Sequence, residues 1–193
     1  MRDTMTADAN AEQDKARRFR DAALPYLDDV FALARYLLRG TADAEDAVQE
    51  CYLRALRHFD SYRGPAMKPW LLAILRNVCN AEFARRGHQE ILTEADDAAA
   101  PDQSPLWQER PASPEAALLR RQDDETIRGL VAALPQLFRE AIVLREVNEL
   151  SYQEIAHVAG VPVGTVMSRL ARARSMLRSA WSIAEDSMPG AVP

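Results

Sequence analysis

The segment from Ser151 to Ser179 constrains the fold of this chain more than any other part of its sequence. Ser151 and Glu154 have the spacing of a capping box, in which a hydroxyl and a carboxylate each accept a hydrogen bond from an amide at a helix start. Gly160 then supplies the left-handed backbone conformation that ends a helix. Further on, apolar residues recur at helical spacing: Val166, Leu170, Ala173 and Leu177. The segment therefore predicts two helices joined by a tight turn.

The opposite stripe of the second helix is polar. It carries Thr165, Ser168, Arg172 and Ser175, with Arg169 at its border. Hydroxyl and guanidinium groups can reach phosphates and base edges in the major groove of DNA. A short capped helix, a glycine turn and such an amphipathic helix are typical of a DNA-reading helix-turn-helix. An ordinary helical hairpin with a solvated basic face is the alternative that the pattern leaves open.

The remainder of the chain also reads as helical. Hydrophobic residues make up 48% of the 193 residues, which is enough to bury a core, and no segment shows the alternation of a strand. We expect an all-α fold. The predicted helices run from Leu24 to Gly40, from a cap at Thr41 or Asp43 to about Phe59, from Pro69 to about Arg86, from Glu115 to Leu134 and from Pro135 to Val147.

Prolines, acids and alanines replace the periodic apolar residues between the two helical blocks, which predicts a flexible acidic linker. The sequence thus divides into a polar N-terminal tail (1–20), a first small helical domain (21–87), the linker (88–113), a second small domain with the helix-turn-helix (114–180) and a C-terminal tail (181–193).

The formal net charge of −5 argues at first against a nucleic-acid partner, but the charges are unevenly distributed. Residues 61–86 carry five basic side chains against one acid, and residues 151–178 carry four against one. Residues 88–115 carry seven acids against one arginine. Two basic segments therefore flank an acidic linker.

Few residues in the sequence suggest catalysis or the binding of a metal or cofactor. Cys51 and Cys79 are too few for a disulfide framework and lie in no zinc-binding spacing, so we expect neither a metal nor another cofactor. His58, Asp60 and Ser61 are close in sequence but lack the geometry of a catalytic triad, and we expect no enzyme. No apolar run reaches membrane-spanning or signal-peptide character, which predicts a cytoplasmic protein without membrane insertion.

Two helices of the first domain have distinctive outward faces. The helix after Gly40 buries a predicted stripe of Ala44, Ala47, Val48, Cys51, Ala55 and Phe59. Its far side carries Asp46, Gln49, Glu50, Leu53 and Arg57. An exposed leucine among polar groups fits a protein-docking patch. A solvated face with one stray leucine is the alternative.

The next helix has a predicted core face of Trp70, Leu71, Ile74, Leu75, Val78 and Ala81. A narrower strip carries Ala73, Arg76, Asn77, Asn80 and Ala84. Small residues between polar ones permit close approach and hydrogen bonding to bases or phosphates. Tyr62 and Arg63, in the preceding loop, are placed to help form a pocket for an unstacked base. A polar boundary position is the alternative for Asn77.

Several stretches resemble the extracytoplasmic-function (ECF) group of sigma factors. The motifs LSYQEIA and VPVGTVMSRLARAR are similar to region 4 of that family, AEDAVQECYLRAL to regions 2.1–2.2, and WLLAILRNVCNAEFARR to regions 2.3–2.4. The resemblance spans residues 20–86 and 114–179 in family order.

The resemblance implies an alternative sigma factor that directs core RNA polymerase to promoters and helps to melt the minus-10 element. Its partners would be promoter DNA, the polymerase beta and beta-prime subunits and an anti-sigma factor. The implied contacts to the beta-prime clamp helices are Asp46, Gln49, Glu50 and Leu53. The implied minus-10 contacts are Tyr62, Arg63, Arg76, Asn77 and Asn80, with Asn77 at the position of a flipped base. The implied minus-35 contacts are Thr165, Ser168, Arg169 and Arg172.

Some features depart from the family pattern or keep other functions open. Met167 stands where many members have Lys or Arg, and Ala171 where some have a larger side chain, so the minus-35 sequence stays open. In the linker, we expect Glu94, Asp96, Asp97 and Asp102 to imitate phosphates in the polymerase RNA channel. The alternatives are a sigma-mimicking protein that titrates an anti-sigma factor and a conventional dimeric helix-turn-helix regulator.

Overall fold

The computed structural model describes the backbone of residues 2–38, 40–64, 66–90 and 126–186, and the side chains of residues 12–38, 40–64, 66–85 and 126–182. These residues form helices, short 3-10 turns and loops, without a strand among them. The helices are α1 (Arg2–Ala23), α2 (Leu27–Leu37), α3 (Thr41–His58), α4 (Met67–Glu90), α5 (residues 126–133), α6 (Gln136–Glu146), α7 (Tyr152–Ala159) and α8 (Val163–Asp186).

Helices α1–α4 form the first module, in which α2, α3 and α4 pack against one another. The stripe predicted on α3 is buried from Ala44 to Ala55, and Phe59 packs against it as a partly buried ring. Helix α1 packs against the end of α3 and the turn that follows it. The Phe19 ring contacts the rings of Tyr52 and Phe59 edge-on, at centroid distances of 6.1 and 5.4 Å. Lys15 forms an ion pair with Asp60 at 3.0 Å.

Helices α5–α8 form the second module, and α6, α7 and α8 all contact one another. The predicted core stripe of α8 is confirmed, because Val166, Leu170 and Ala173 are buried and Leu177 packs against them. The Arg145 guanidinium lies 5.3 Å from the centre of the Tyr152 ring and donates a hydrogen bond to the Leu150 carbonyl at 2.8 Å. These contacts fix α6 against the start of α7.

Several local expectations need correction. Ala81 is exposed instead of buried, whereas Leu72 and Cys79 are fully buried, because α4 is packed on more than one side. Gly40, and neither Thr41 nor Asp43, occupies the N-cap position of α3. Helix α1 covers nearly all of the segment 1–20 that was expected to be a tail, and α8 continues past Ser179 to Asp186. Of the predicted linker 88–113, residues 88–90 instead continue α4, and residues 91–113 lie outside the described residues.

The two modules do not stand apart. Helix α6 packs against α2, and α7 packs against α4, so that buried residues of both modules belong to one continuous hydrophobic cluster. The Asn148 side chain is 1% exposed and donates a hydrogen bond to the Asp29 carbonyl at 2.9 Å. Arg139 donates to the Tyr36 carbonyl at 3.4 Å. This arrangement decides which of the candidate surfaces face solvent.

Candidate functional site

The turn before α8 has the geometry that its sequence predicts. The Glu154 carboxylate accepts a hydrogen bond from the Ser151 amide at 2.8 Å, and the Ser151 hydroxyl accepts one from the Glu154 amide at 3.3 Å. Hydrogen bonds from Ser151 lower the pKa of Glu154 because they favour its ionised form. Gly160 has φ 65°, the left-handed conformation expected at the end of α7. Both local predictions are confirmed.

The residues expected to read the minus-35 element share the N-terminal half of α8. Ser168 and Arg172 are exposed, whereas Thr165 and Arg169 are half-buried. The Ser168 hydroxyl donates to the Thr165 carbonyl at 2.9 Å, a bond that a hydroxyl can exchange for one to a phosphate. Met167 is 54% exposed beside them. Two of the four predicted contact residues are therefore open to solvent, and two lie at the edge of the face.

The outer face of α3 is also open. Asp46, Gln49 and Leu53 are exposed, Leu53 at 50%, and Glu50 is paired with Arg54 one turn along the helix at 2.5 Å. An open groove of about 320 Å³ runs between α3 and α4, and Asp46 and Glu50 line it. A partner helix with apolar and basic side chains is the kind of ligand that this face suits.

The polar strip of α4 differs from these two faces because α6 reaches two of its side chains. We call this strip, which consists of Ala73, Arg76, Asn77, Asn80 and Ala84, the α4 strip. The Arg76 guanidinium forms an ion pair and hydrogen bond with Glu140 of α6. The Gln136 amide donates to the Asn80 side-chain oxygen at 3.2 Å. Asn77 lies between them in sequence and is exposed. Of the strip's three polar residues, one therefore faces solvent and two are engaged by the second module.

The loop before α4 holds Tyr62 and Arg63. The Tyr62 ring stacks at a tilt on Trp70, with centroids 4.6 Å apart, and burial raises the pKa of its phenol. A Cβ on Gly64 would lie 2.6 Å from the Tyr62 ring, so this close approach requires glycine. The Arg63 guanidinium donates to the backbone carbonyls of Asp60 and Tyr62 at 2.6 and 2.9 Å. The loop is folded back on itself.

Glu140, which links α6 to the α4 strip, was not identified from the sequence. Its side chain is buried, and burial raises its pKa despite the opposing charges of Arg76 and Arg169. One side of α6 thus brings a carboxylate to an arginine of the α4 strip and within the field of an arginine of α8. Because its neighbour Arg76 lies 64 positions away, no local pattern could have revealed this role.

The described residues contain no group of three or more His, Cys, Asp or Glu side chains placed to hold a metal ion. Cys51 and Cys79 are buried and free, and burial raises the pKa of each to about 12. Their thiols therefore stay protonated at neutral pH. Within the same part of the chain, no helix combines the length and apolar character needed to cross a membrane.

Comparisons with known proteins agree with this two-part organisation. Residues 23–89 match the family model for Sigma-70 region 2, and residues 124–177 match that for Sigma-70, region 4. The chain is 32% identical over 160 residues to the ECF RNA polymerase sigma factor SigM of Bacillus subtilis, covering 81% of this chain and 91% of that protein. It is 34% identical over 147 residues to the ECF RNA polymerase sigma-E factor of Escherichia coli, covering 75% and 76% respectively.

The fold is similar to that of sigma factors solved with their inhibitors. The sigma factor RpoE in complex with the anti-sigma factor NepR from Bartonella quintana matches with a TM-score of 0.68 at 26% identity, covering 86% of this chain and 98% of that one. CnrH in complex with the cytosolic domain of CnrY matches with a TM-score of 0.62 at 22% identity. The second similarity bears on the fold alone.

Proposed function

This chain belongs to the ECF group of sigma factors, and from that premise we propose that it directs core RNA polymerase to promoters by using three separate surfaces of its two modules. The observation that carries the proposal is the placement of three polar faces, on α3, α4 and α8, along one chain that matches both sigma regions in order; those of α3 and α8 are open to solvent, and that of α4 is open at Asn77. The chain works as a binding protein in the cytoplasm, without a catalytic residue or cofactor of its own.

The first module docks on the polymerase. Leu53 provides the apolar centre of the α3 face, and Asp46, Gln49 and Glu50 surround it with polar groups. Leucine in the middle of a polar ring, on a rigid helix, is an arrangement that concentrates binding energy in few residues. The partner surface is the clamp-helix region of the beta-prime subunit, and the beta subunit contributes further contacts.

The same module captures the minus-10 element through the α4 strip and the loop before it. Asn77 hydrogen-bonds a flipped base, Arg76 and Asn80 bind neighbouring backbone or base atoms, and Tyr62 and Arg63 close the pocket. Unstacking a base costs a few kcal/mol, which stacking and hydrogen bonds in the pocket offset. Promoter melting then proceeds without any chemical step in this protein.

The second module reads duplex DNA at the minus-35 element. Arg172 and Ser168 lie on the exposed face of α8, and Thr165 and Arg169 lie at its edge. An arginine and hydroxyl face of this kind supplies both phosphate contacts, which position the helix, and base contacts, which select the sequence. Because Met167 is apolar and exposed beside them, it is suited to contact a thymine methyl group.

Two further parts of the proposal concern regulation and the linker. Relatives of this fold are solved with anti-sigma factors, and we propose that an anti-sigma protein also binds this chain.

The carboxylates Glu94, Asp96, Asp97 and Asp102 lie outside the described residues, and their proposed role as phosphate mimics rests on charge alone. Neutralising all four is expected to weaken holoenzyme formation or initiation in vitro, and unchanged transcription would discard that role.

Run-off transcription with bacterial core polymerase and a promoter library tests the proposal. We expect the chain to yield transcripts from a subset of templates that share two sequence elements at fixed spacing. Leu53→Ser is expected to weaken core binding by about tenfold or more, as for a central interface residue. Leu24→Ser is the matched control, because Leu24 is 48% exposed and belongs to the 3-10 turn before α2, outside α3.

The same experiment separates the alternative functions. A sigma-mimicking protein would bind an anti-sigma factor but yield no transcript with core polymerase. A conventional regulator would bind duplex DNA as a dimer and specifically in the absence of polymerase, which a gel shift would reveal. Either result would overturn the proposal.

A further inference from the structure

One face of helix α1 contacts residues 59–64, the segment after α3 that we call the capture loop. Lys15, Arg18 and Phe19 share that face, because residues three and four positions apart are neighbours on a helix. The Phe19 ring packs edge-on against that of Phe59, with centroids 5.4 Å apart. The Asp60 carboxylate forms ion pairs with Lys15 at 3.0 Å and Arg18 at 3.6 Å. Two consecutive residues of the capture loop are therefore held by α1.

The two residues that α1 holds are bonded in turn to the residues proposed to close the pocket for a flipped base. The Tyr62 amide donates a hydrogen bond to the Phe59 carbonyl at 3.1 Å. The Arg63 guanidinium donates one to the Asp60 carbonyl at 2.6 Å. Asp60 thus connects the two sides of the capture loop, since its carboxylate pairs with α1 and its carbonyl binds Arg63.

We propose that α1 takes part in recognition of the minus-10 element, with Lys15 as a positioning residue that holds the capture loop ready for an unstacked base. The inference rests on the proposed function of Tyr62 and Arg63. The match to Sigma-70 region 2 covers residues 23–89, so residues 2–22 of α1 lie outside it. Helix α1 acts through Asp60 and does not itself contact the base.

The capture loop is held at both of its ends. Helix α1 holds Phe59 and Asp60 at its start, and Trp70 of α4 stacks on the Tyr62 ring further along, at a centroid distance of 4.6 Å. A loop that is ordered before its ligand arrives loses less conformational entropy on binding. Loss of the α1 contacts therefore raises the cost of capturing a base, although every group that touches the base is still present.

The ion pair between Lys15 and Asp60 is suited to a local role. The Asp60 side chain is 57% exposed, and ion pairs open to solvent contribute little to the global free energy of unfolding. Loops nevertheless open locally without unfolding of the whole chain, so a weak contact at a loop can control its order. A change at Lys15 should therefore loosen the capture loop and leave the fold intact, whereas the buried Phe19 belongs to the core.

Run-off transcription by the full chain with core polymerase tests the inference, on promoter libraries randomised separately in the minus-10 and minus-35 elements. We expect Lys15→Glu to weaken the preference for the favoured minus-10 bases by about tenfold, the size of one lost base discrimination. The preference in the minus-35 element and the affinity for core polymerase should stay those of the parent chain. A variant that merely unfolds would lose all three together.

Arg20→Glu is the matched control. It makes the same charge change on the same helix, but Arg20 is 62% exposed and pairs with its neighbour Asp21. It should keep the minus-10 preference of the parent chain.

A charge swap separates positioning from direct contact with DNA. The double variant Lys15→Glu/Asp60→Lys restores the ion pair with its charges exchanged, and Arg18 keeps Asp14 as a partner at 3.7 Å. We expect it to regain most of the minus-10 preference that Lys15→Glu loses. A lysine that bound DNA by itself would not be rescued in this way, so a double variant as impaired as Lys15→Glu would overturn the positioning role.

Hydrogen exchange of the free chain gives a readout that does not depend on transcription. We expect the backbone amides of residues 61–64 to exchange about tenfold faster in Lys15→Glu than in Arg20→Glu, because local opening exposes them to solvent. Equal exchange in the two variants would overturn the inference, as would an unchanged minus-10 preference in Lys15→Glu. The proposed function fails separately, if the parent chain yields no transcript with core polymerase.

Discussion

The α4 strip and the outer face of α8 are built from the same kinds of side chain but have different surroundings. Each presents polar side chains at helical spacing, with one arginine on α4 and two on α8, and both were predicted to contact DNA. On α8, Ser168 and Arg172 face solvent, whereas on α4, Arg76 and Asn80 are engaged by Glu140 and Gln136. The difference shows that two helix faces of similar composition can be open to solvent or covered, depending on how the rest of the chain packs against them.

The largest expected difference between the two faces concerns stability. Arg76→Ala leaves the buried Glu140 carboxylate without its ion-pair partner, which typically costs about 3 kcal/mol. Arg172→Ala removes an exposed arginine and should change the free energy of unfolding by less than about 0.5 kcal/mol. Urea denaturation of both variants measures the contrast. Equal changes in the free energy of unfolding would show that Arg76, although paired with Glu140, stabilises the chain no more than the exposed Arg172 does.

The start of α7 offers a smaller effect, because α7 is the helix that packs against α4. Ser151→Ala removes the capping hydroxyl and should destabilise the chain by about 1 kcal/mol. Ser175→Ala makes the same chemical change on the exposed face of α8, where we expect less than about 0.5 kcal/mol. Denaturation midpoints that shift equally would contradict the role assigned to the capping box.

Two glutamates of the second module should respond to pH in opposite directions. Burial raises the pKa of Glu140, which faces Arg76, Arg169 and Cys79, so its contribution to stability is present below its unfolded pKa and is lost as pH rises through its folded pKa. Hydrogen bonds from Ser151 lower the pKa of Glu154, so its contribution is present above its unfolded pKa and is lost as pH falls through its folded pKa.

Denaturation of Glu140→Gln and Glu154→Gln, measured between about pH 3 and pH 8, separates these contributions. Relative to the parent chain, Glu140→Gln should gain stability as pH rises, whereas Glu154→Gln should lose it. If the stability differences of the two variants from the parent chain changed with pH in the same direction, the opposite pKa shifts of Glu140 and Glu154 would be contradicted.

The smallest expected effect on stability belongs to Met167. Because it is 54% exposed, Met167→Ala should alter the free energy of unfolding by less than about 0.5 kcal/mol. Its effect should appear in promoter choice instead: replacing thymine by uracil in the minus-35 element, which deletes the methyl group, should weaken initiation by the parent chain more than by Met167→Ala. An equal loss in both would show that Met167 reads no methyl group.

Local patterns predicted much of the fold. The capping box at Ser151, the left-handed Gly160 and the buried stripes of α3 and α8 all depend on residues within a few turns of one another, and each is confirmed. Such features follow from backbone hydrogen bonding and helical periodicity, which a single sequence displays directly.

The errors have one common cause, which is packing between distant parts of the chain. Ala81 was expected in the core and Cys79 was not, because periodicity cannot tell how many sides of a helix are covered. Glu140 reads as a surface residue until its distant partner is known. The N-terminal segment was expected to be a tail, but Phe19 packs against aromatic rings of α3 and the following turn. The functional roles assigned to the three faces stay predictions.

Site-specific photocrosslinking from position 80 tests the central claim most directly. With a photoreactive phenylalanine analogue in place of Asn80, the free chain should crosslink to its own α6 near Gln136, and the complex with core polymerase and promoter DNA should crosslink to the DNA. Exchange of one adduct for the other is the predicted result. A DNA adduct that never forms, in a complex that actively transcribes, would contradict the account.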